Sequence, residues 1–144
     1  KKYWKKFNVF KKWQEEHYRR YEKNGYVELL TGFRCTGYLG RNELVNYPFQ
    51  GTAFHCLLWS LIQINAEFRE RKMDSKVVIQ IYDNGVFDCP PDEKEEVVSL
   101  CTEIATQRIR EQYSWINVPL TIEWEETVIN GSWYGKKDLT EKED

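Results

Sequence analysis

Asp83 is the residue whose type and setting most suggest chemistry. It is followed by Asn84 and Gly85 and stands between two apolar runs, Val77-Val78-Ile79-Gln80-Ile81 and Val86-Phe87-Asp88-Cys89. That order places a carboxylate at the tip of a tight hairpin, held at a fixed height by rigid strands, as a metal ligand for phosphoryl transfer requires. Asp-Asn-Gly is equally a common hairpin turn in which Asn and Gly simply supply positive φ. Local sequence leaves both readings open. A metal-dependent nuclease built on Asp83 and Asp88 is a weaker third reading, because side chains that far apart across a hairpin need not share a face.

Other metal chemistry finds little support. Cys35, Cys56, Cys89 and Cys101 include no Cys-x-x-Cys pair, and His17 and His55 have no second ligand at metal spacing. Free buried thiols in a reducing compartment are the expectation, and His55 reads as a helix residue with a local hydrogen bond. The 144 residues carry a net charge of −2, but residues 1–45 hold eleven basic against five acidic side chains, a net of +6, and residues 46–144 hold ten against eighteen, a net of −8. A basic first third joined to an acidic remainder suits a protein that grips a polyanion with one surface and holds metal ions or a partner with another.

The elements that must position these groups are legible from periodicity. Tyr3, Phe7, Phe10, His17 and Tyr21 recur at helical spacing over residues 3–24, and Asn24-Gly25 ends that helix. Tyr26 to Leu30 and Arg34 to Leu39 flank Thr31-Gly32-Phe33 as a short hairpin with Arg34 on its exposed edge and Arg41 just beyond. A second helix, largely buried, is expected from about Pro48 to Arg71 on Phe54, Leu57, Leu58, Leu61, Ile64 and Phe68. Residues 77–89 form the hairpin of Asp83. Pro90-Pro91-Asp92-Glu93 starts a third helix lasting to about Tyr113, with Val97, Leu100, Cys101, Ile104 and Ala105 inward. Val118, Leu120, Ile122 and Trp124 alternate as a strand with one buried face. The strands between residues 77 and 125 would then form one antiparallel sheet covered by long helices, an α+β architecture around a single core. No stretch approaches the roughly 18 to 20 apolar residues of a membrane span, and the basic start, Lys1-Lys2-Tyr3-Trp4-Lys5-Lys6, lacks the apolar run of a signal peptide. A soluble, cytoplasmic protein is expected, and the absence of an initiator Met points to a product that begins earlier or is processed.

Asn46-Tyr47-Pro48-Phe49-Gln50-Gly51-Thr52-Ala53, followed by Ile79-Gln80-Ile81-Tyr82-Asp83-Asn84-Gly85-Val86-Phe87, resembles the C-terminal palm and fingers region of family A DNA polymerases, the group of DNA polymerase I. Gly25-Tyr26-Val27-Glu28 with Thr31-Gly32-Phe33-Arg34 is similar to that family's Gly-Tyr-Val-Glu-Thr and Gly-Arg-Arg hairpin, and Gly131-Ser132-Trp133-Tyr134 with Lys136-Lys137 to its closing Trp-containing stretch. The four matches run in order over about residues 7–137.

The resemblance implies roles position by position. Asp83 falls on the aspartate of the His-Asp-Glu motif, which binds two catalytic magnesium ions with a second aspartate from an earlier palm strand. Asn46 and Gln50 fall on the Asn and Gln that reach the primer-template minor groove, where acceptors are shared by all correct base pairs and uncharged amides can test pairing shape. Arg34 and Arg41 would neutralise backbone phosphates. Tyr82 replaces the family's His, as in some viral members, which implies a phage-like origin and a host cytoplasm. Asn84 replaces its Glu, Asn42 its Arg, and Phe54-His55 its Ala-Asp. Nothing resembles the first palm aspartate, the nucleotide-gripping fingers helix, the thumb or a proofreading exonuclease, and one Asp cannot hold two cations about 3.5 to 4 Å apart.

The resemblance therefore implies the C-terminal part of a template-dependent DNA polymerase, inert alone. It would transfer nucleotides from dNTP to a primer 3′-OH on primer-template DNA once an N-terminal polymerase chain supplies the other aspartate and the fingers helix. Residues 1–75 would be the fingers-side helices and DNA-contacting hairpin, 76–137 the palm portion, and 138–144 a charged tail. The alternative is a non-catalytic nucleic-acid-binding or scaffolding subunit derived from a polymerase.

Overall fold

The structure, a computed structural model, describes residues 2–139; most of the charged tail of residues 138–144 lies outside them. The chain divides into two compact units instead of closing on a single core: residues 1–58 with 80–84, and residues 59–79 with 85–144. Helix α3 runs thirty residues, Arg41–Glu70, about 45 Å at 1.5 Å per residue.

In the first unit, α1 (Lys2–Lys6) and α2 (Asn8–Asn24) replace the single helix expected over 3–24. The break falls at Phe7, whose ψ of 45° leaves the helical region; like charges one turn apart, as at Lys2 and Lys6, weaken the first turns. Gly25 ends α2 at φ 75°, its N–H on the carbonyl of Tyr21, the left-handed cap that glycine adopts without a Cβ clash. Strands β1 (Tyr26–Glu28) and β2 (Arg34–Thr36) pair antiparallel in the register Tyr26 to Thr36, Val27 to Cys35 and Glu28 to Arg34.

Helix α3 starts seven residues before Pro48, where the sequence had placed its first turn. Glu43 supplies the missing start signal: its carboxylate accepts the N–H of Gly40 at 2.7 Å, half of a capping box. Pro48 then sits inside the helix and cannot donate to the carbonyl of Leu44, four residues back. The imidazole Nε2 of His17 donates to that carbonyl instead, at 2.9 Å. A histidine on α2 thus fills the gap that an internal proline leaves in α3. The β1–β2 connection docks where α3 has no side chain: a Cβ at Gly51 would lie 2.9 Å from a methyl of Leu29. Next to it, the N–H of Leu30 donates to the Thr52 hydroxyl at 3.3 Å.

The second unit holds most of the core. Leu61, Ile64 and Phe68 of α3 are buried, as are Val97, Leu100 and Cys101 of α4 (Lys94–Glu103), Ile104 of a π-turn (Ile104–Arg108) and Ile109 of α5 (Ile109–Gln112). The helix expected after Pro90-Pro91 is present, continuous but for that π-turn. Helix α3 buries only a stripe and not most of its surface, since Phe54 and Leu58 are exposed. Glu93, just before α4, accepts the backbone N–H groups of Asp74 at 2.8 Å and Ser75 at 2.9 Å and the Ser75 hydroxyl. These bonds, that of the Ser75 side chain first, hold its carboxyl below the usual range.

The single three-stranded sheet does not form. Strands β3 (Lys76–Ile81) and β4 (Asn84–Asp88) make one two-stranded sheet, while β5 (Glu125–Glu126) pairs antiparallel with β6 (Lys137–Asp138). Residues 118–124 carry no ladder; Pro119 cannot donate to one. Their alternation still sets burial, with Leu120, Ile122 and Trp124 half-buried and the Trp124 indole donating to the Thr102 hydroxyl at 3.0 Å. The class remains α+β with small antiparallel sheets and long helices. No disulfide joins Cys35, Cys56, Cys89 and Cys101, and burial pushes the Cys101 thiol up to about 12. Among the described residues no helix is long and apolar enough to cross a membrane.

Candidate nucleic-acid and metal-facing surface

Asp83 occupies the second position of the two-residue turn Tyr82-Asp83 that joins β3 to β4, and it is exposed. The turn is centred one residue earlier than the sequence suggests. Tyr82, and not Asn84 or Gly85, takes the positive φ, at 53°, with its ring 85% exposed. A residue with a Cβ pays about 1 to 2 kcal/mol for that conformation, and a bulky one held there marks a spot fixed by its surroundings. Gly85 has another role. It lies in β4, where a Cβ would stand 2.9 Å from Leu61, so glycine there admits close packing and not a turn.

Three hydrogen bonds meet at the tip. The Asn84 amide donates to Oδ1 of Asp83 at 3.1 Å, so where a second acid would add charge, this chain has a neutral donor steadying the first. The Gln80 amide donates to the carbonyl of Phe54 on α3 at 3.3 Å and to that of Tyr82 at 3.2 Å. Gln80 went unnoticed at the level of sequence, though a polar residue in an otherwise β-branched run was a signal for it.

Asn46 and Gln50 are exposed and four residues apart on α3, hence on one face. Among the described residues neither side-chain amide has a hydrogen-bond partner, which leaves both available to a ligand. Arg41 opens α3 with its guanidinium 5.3 Å from the ring centre of Tyr18. Arg34 lies 4.7 Å from that of Tyr26 and pairs with Glu28 at 2.6 Å. That hydrogen bond raises the already high pKa of Arg34; a phosphate reaching Arg34 must compete with Glu28. His55 bonds the Thr31 hydroxyl through Nδ1 at 3.2 Å and meets the edge of Phe33, in keeping with a structural histidine. The seven residues singled out through the resemblance, Arg34, Arg41, Asn46, Gln50, Tyr82, Asp83 and Asn84, fall in the first unit, whereas Asp88, the second acid of the nuclease reading, falls in the other.

Among the described residues no three His, Cys, Asp or Glu side chains come together to hold a metal ion. Magnesium is bound through one or two carboxylates with waters and substrate phosphates. Asp83 therefore fits as one ligand, and these residues do not fit a complete two-ion centre.

Arg34 and Arg41 thus lie on the same unit as the exposed amides of Asn46 and Gln50 and the exposed Asp83 carboxylate. The model of DNA polymerase family A matches residues 1–134, and the chain belongs to that family. It is 32% identical over 139 residues to the DNA polymerase of Bacillus phage SP01, covering 87% of this chain and 15% of that protein. It is 27% identical to DNA polymerase I of Aquifex aeolicus, covering 92% and 22% respectively. Among solved structures it resembles the POL domain of Pol1 from M. smegmatis, in complex with DNA primer-template and dNTP, with a TM-score of 0.61 and 19% identity over 72% of this chain and 20% of that one; this likeness bears on the fold. The chain thus spans about a fifth or less of the length of these relatives.

Proposed function

We propose that this chain is the C-terminal part of a template-dependent DNA polymerase that works once a second polypeptide, or a further part of the same one, supplies what it lacks. The observation that carries the reading is the exposed Asp83 carboxylate on a hairpin tip braced to the helix that bears Asn46 and Gln50. Asp83 would hold magnesium together with a carboxylate from outside this chain; when bound, the metal lowers the pKa of the attacking hydroxyl and stabilises charge on the transferring phosphoryl group. The chain's own residues would contact the DNA. Asn46 and Gln50 offer uncharged donors to minor-groove acceptors and so report correct pairing without reading sequence. Arg34 and Arg41 neutralise backbone phosphates, and their stacking on Tyr26 and Tyr18 limits where each cation can go. Residues 1–75 serve as the fingers-side helices and DNA-contacting hairpin, and 76–137 as the palm portion. The aromatic side chains Tyr3, Trp4 and Phe7, exposed near the start of the chain, support a partner surface there. The substrates on this reading are primer-template DNA and dNTP, and a phage origin would place the protein in the host cytoplasm.

Asn84 in place of a second acid favours one other reading, a non-catalytic nucleic-acid-binding subunit derived from a polymerase. Primer extension separates the two. Mixed with a polypeptide carrying the missing palm aspartate and fingers helix, the chain should extend a primer in magnesium, and Asp83→Ala should abolish extension while duplex binding persists. Salt-sensitive duplex binding with no extension, indifferent to magnesium and to Asp83→Ala, would establish the non-catalytic subunit.

A further inference from the structure

We infer that Gln80 is a positioning residue that sets the orientation of the Asp83 turn, an inference that rests on the reading of Asp83 as a metal ligand. A primary amide carries two N–H donors and no charge. In this chain one reaches the carbonyl of Phe54, at 3.3 Å, and the other that of Tyr82, at 3.2 Å. The Tyr82 carbonyl belongs to the peptide that leads into Asp83, so the bond fixes the plane from which the Asp83 side chain departs. Its other end is anchored on α3 one turn beyond Gln50, tying the carboxylate to the helix that presents Asn46 and Gln50.

The turn needs such a brace. Tyr82 holds φ 53° without being glycine, and the ring that might have been packed to hold it there is 85% exposed. The contact between Asn84 and Asp83 joins adjacent residues of the same tip and cannot anchor that tip to another element. No residue of similar length replaces Gln80: Glu offers two acceptors to two carbonyl oxygens, Leu offers no polar atom, and Asn is one methylene short.

The test pairs a structural readout on the full chain with a catalytic one. Amide ¹⁵N relaxation should give order parameters near about 0.85 at Tyr82, Asp83 and Asn84 in the unaltered chain, falling below about 0.6 in Gln80→Glu and Gln80→Leu. Residues around Val97 and Leu100 should not change, which separates a loosened turn from a failing fold. On lowering the pH until the new carboxyl protonates and regains a donor, Gln80→Glu should recover part of the order and Gln80→Leu none. In the reconstituted extension assay both variants should lose about tenfold in kcat with the KM for dNTP unchanged. Unchanged order parameters in both variants would overturn the inference, and so would a loosened turn with undiminished kcat. If no chain extends a primer, the polymerase reading fails, while the relaxation data still decide whether Gln80 holds the turn.

Discussion

The two units differ in how their residues are held. Residues 59–79 and 85–144 bury Leu61, Ile64, Phe68, Val97, Leu100, Cys101, Ile104, Ile109 and Ile116, and lace their surface with ion pairs from Glu67 to Arg71 and Arg108. Residues 1–58 and 80–84 bury little beyond Val27, Leu29, Leu44 and Thr52, and leave Tyr3, Phe7, Phe33, Phe49, Phe54 and Tyr82 exposed. Every residue given a role in the proposed function is in this second group. One unit is organised by side-chain packing, the other by single polar contacts that satisfy particular backbone groups: His17 on Leu44, Thr52 on Leu30, Gln80 on Phe54 and Tyr82. On the proposed function this surface would meet nucleic acid and could not also be packed shut; the polar contacts give it shape where few side chains are buried.

Substitutions should divide along the same line. Asp83→Ala should reduce primer extension by the reconstituted polymerase about 10³-fold or more, because a lost metal ligand removes several kcal/mol of charge stabilisation, while thermal unfolding shifts by less than about 0.5 kcal/mol at this exposed site. Ile104→Ala should do the reverse. Its side chain is fully buried, and denaturant titration should show a loss of about 2 to 5 kcal/mol.

His17→Leu tests the polar bracing of the first unit. It strands the Leu44 carbonyl beside Pro48, and a cost of about 1 to 3 kcal/mol is expected. The same histidine gives a pH signature. Burial, first, and the neighbouring Arg20 hold its pKa below 6.5 in the folded chain, against the raising effect of the Leu44 bond. The unfolded chain therefore binds the proton more readily, so this contribution is fully present above pH 6.5 and is lost as pH falls through the folded value. Unfolding midpoints of the unaltered chain and His17→Leu, compared between pH 8 and pH 5, should converge toward the acid end. The smallest effect belongs to Arg41→Ala, which should weaken duplex binding and lower the slope of log affinity against log salt by about one; an unchanged slope would remove Arg41 from the phosphate-contacting surface.

Much of this was legible in the sequence, and the failures have two causes. Helical and strand periodicity located the helices, the two early hairpins and the buried stripe of α4, because burial of one face is what periodicity encodes. The polar tip was legible from Asp83-Asn84-Gly85 between two apolar runs, but its geometry was not. Asp83-Asn84-Gly85 reads locally as a turn, whereas Leu61 needs Gly85 in the strand and the positive φ moves to Tyr82. Pro48 reads as a helix start, whereas Glu43 caps Gly40 earlier and His17 fills the proline's gap from another element. The strand expected at Val118 to Trp124 has the right alternation and no partner ladder. Leu61 and His17 lie far in sequence from the turn and the proline they affect, so no local pattern contains them, whereas the Gly40–Glu43 cap and Pro119 are local signals that outweigh the periodicity.

The central claim is that the Asp83 carboxylate binds a catalytic cation, and a change of metal preference tests it most directly. Asp83→Cys replaces a hard oxygen ligand by a soft sulfur, so extension by the reconstituted polymerase should collapse in magnesium and recover at least in part when thiophilic cadmium or manganese is added, with Asp83→Ala unrescued under the same conditions. Full extension by Asp83→Cys in magnesium alone, or equal rescue of the alanine variant, would contradict it.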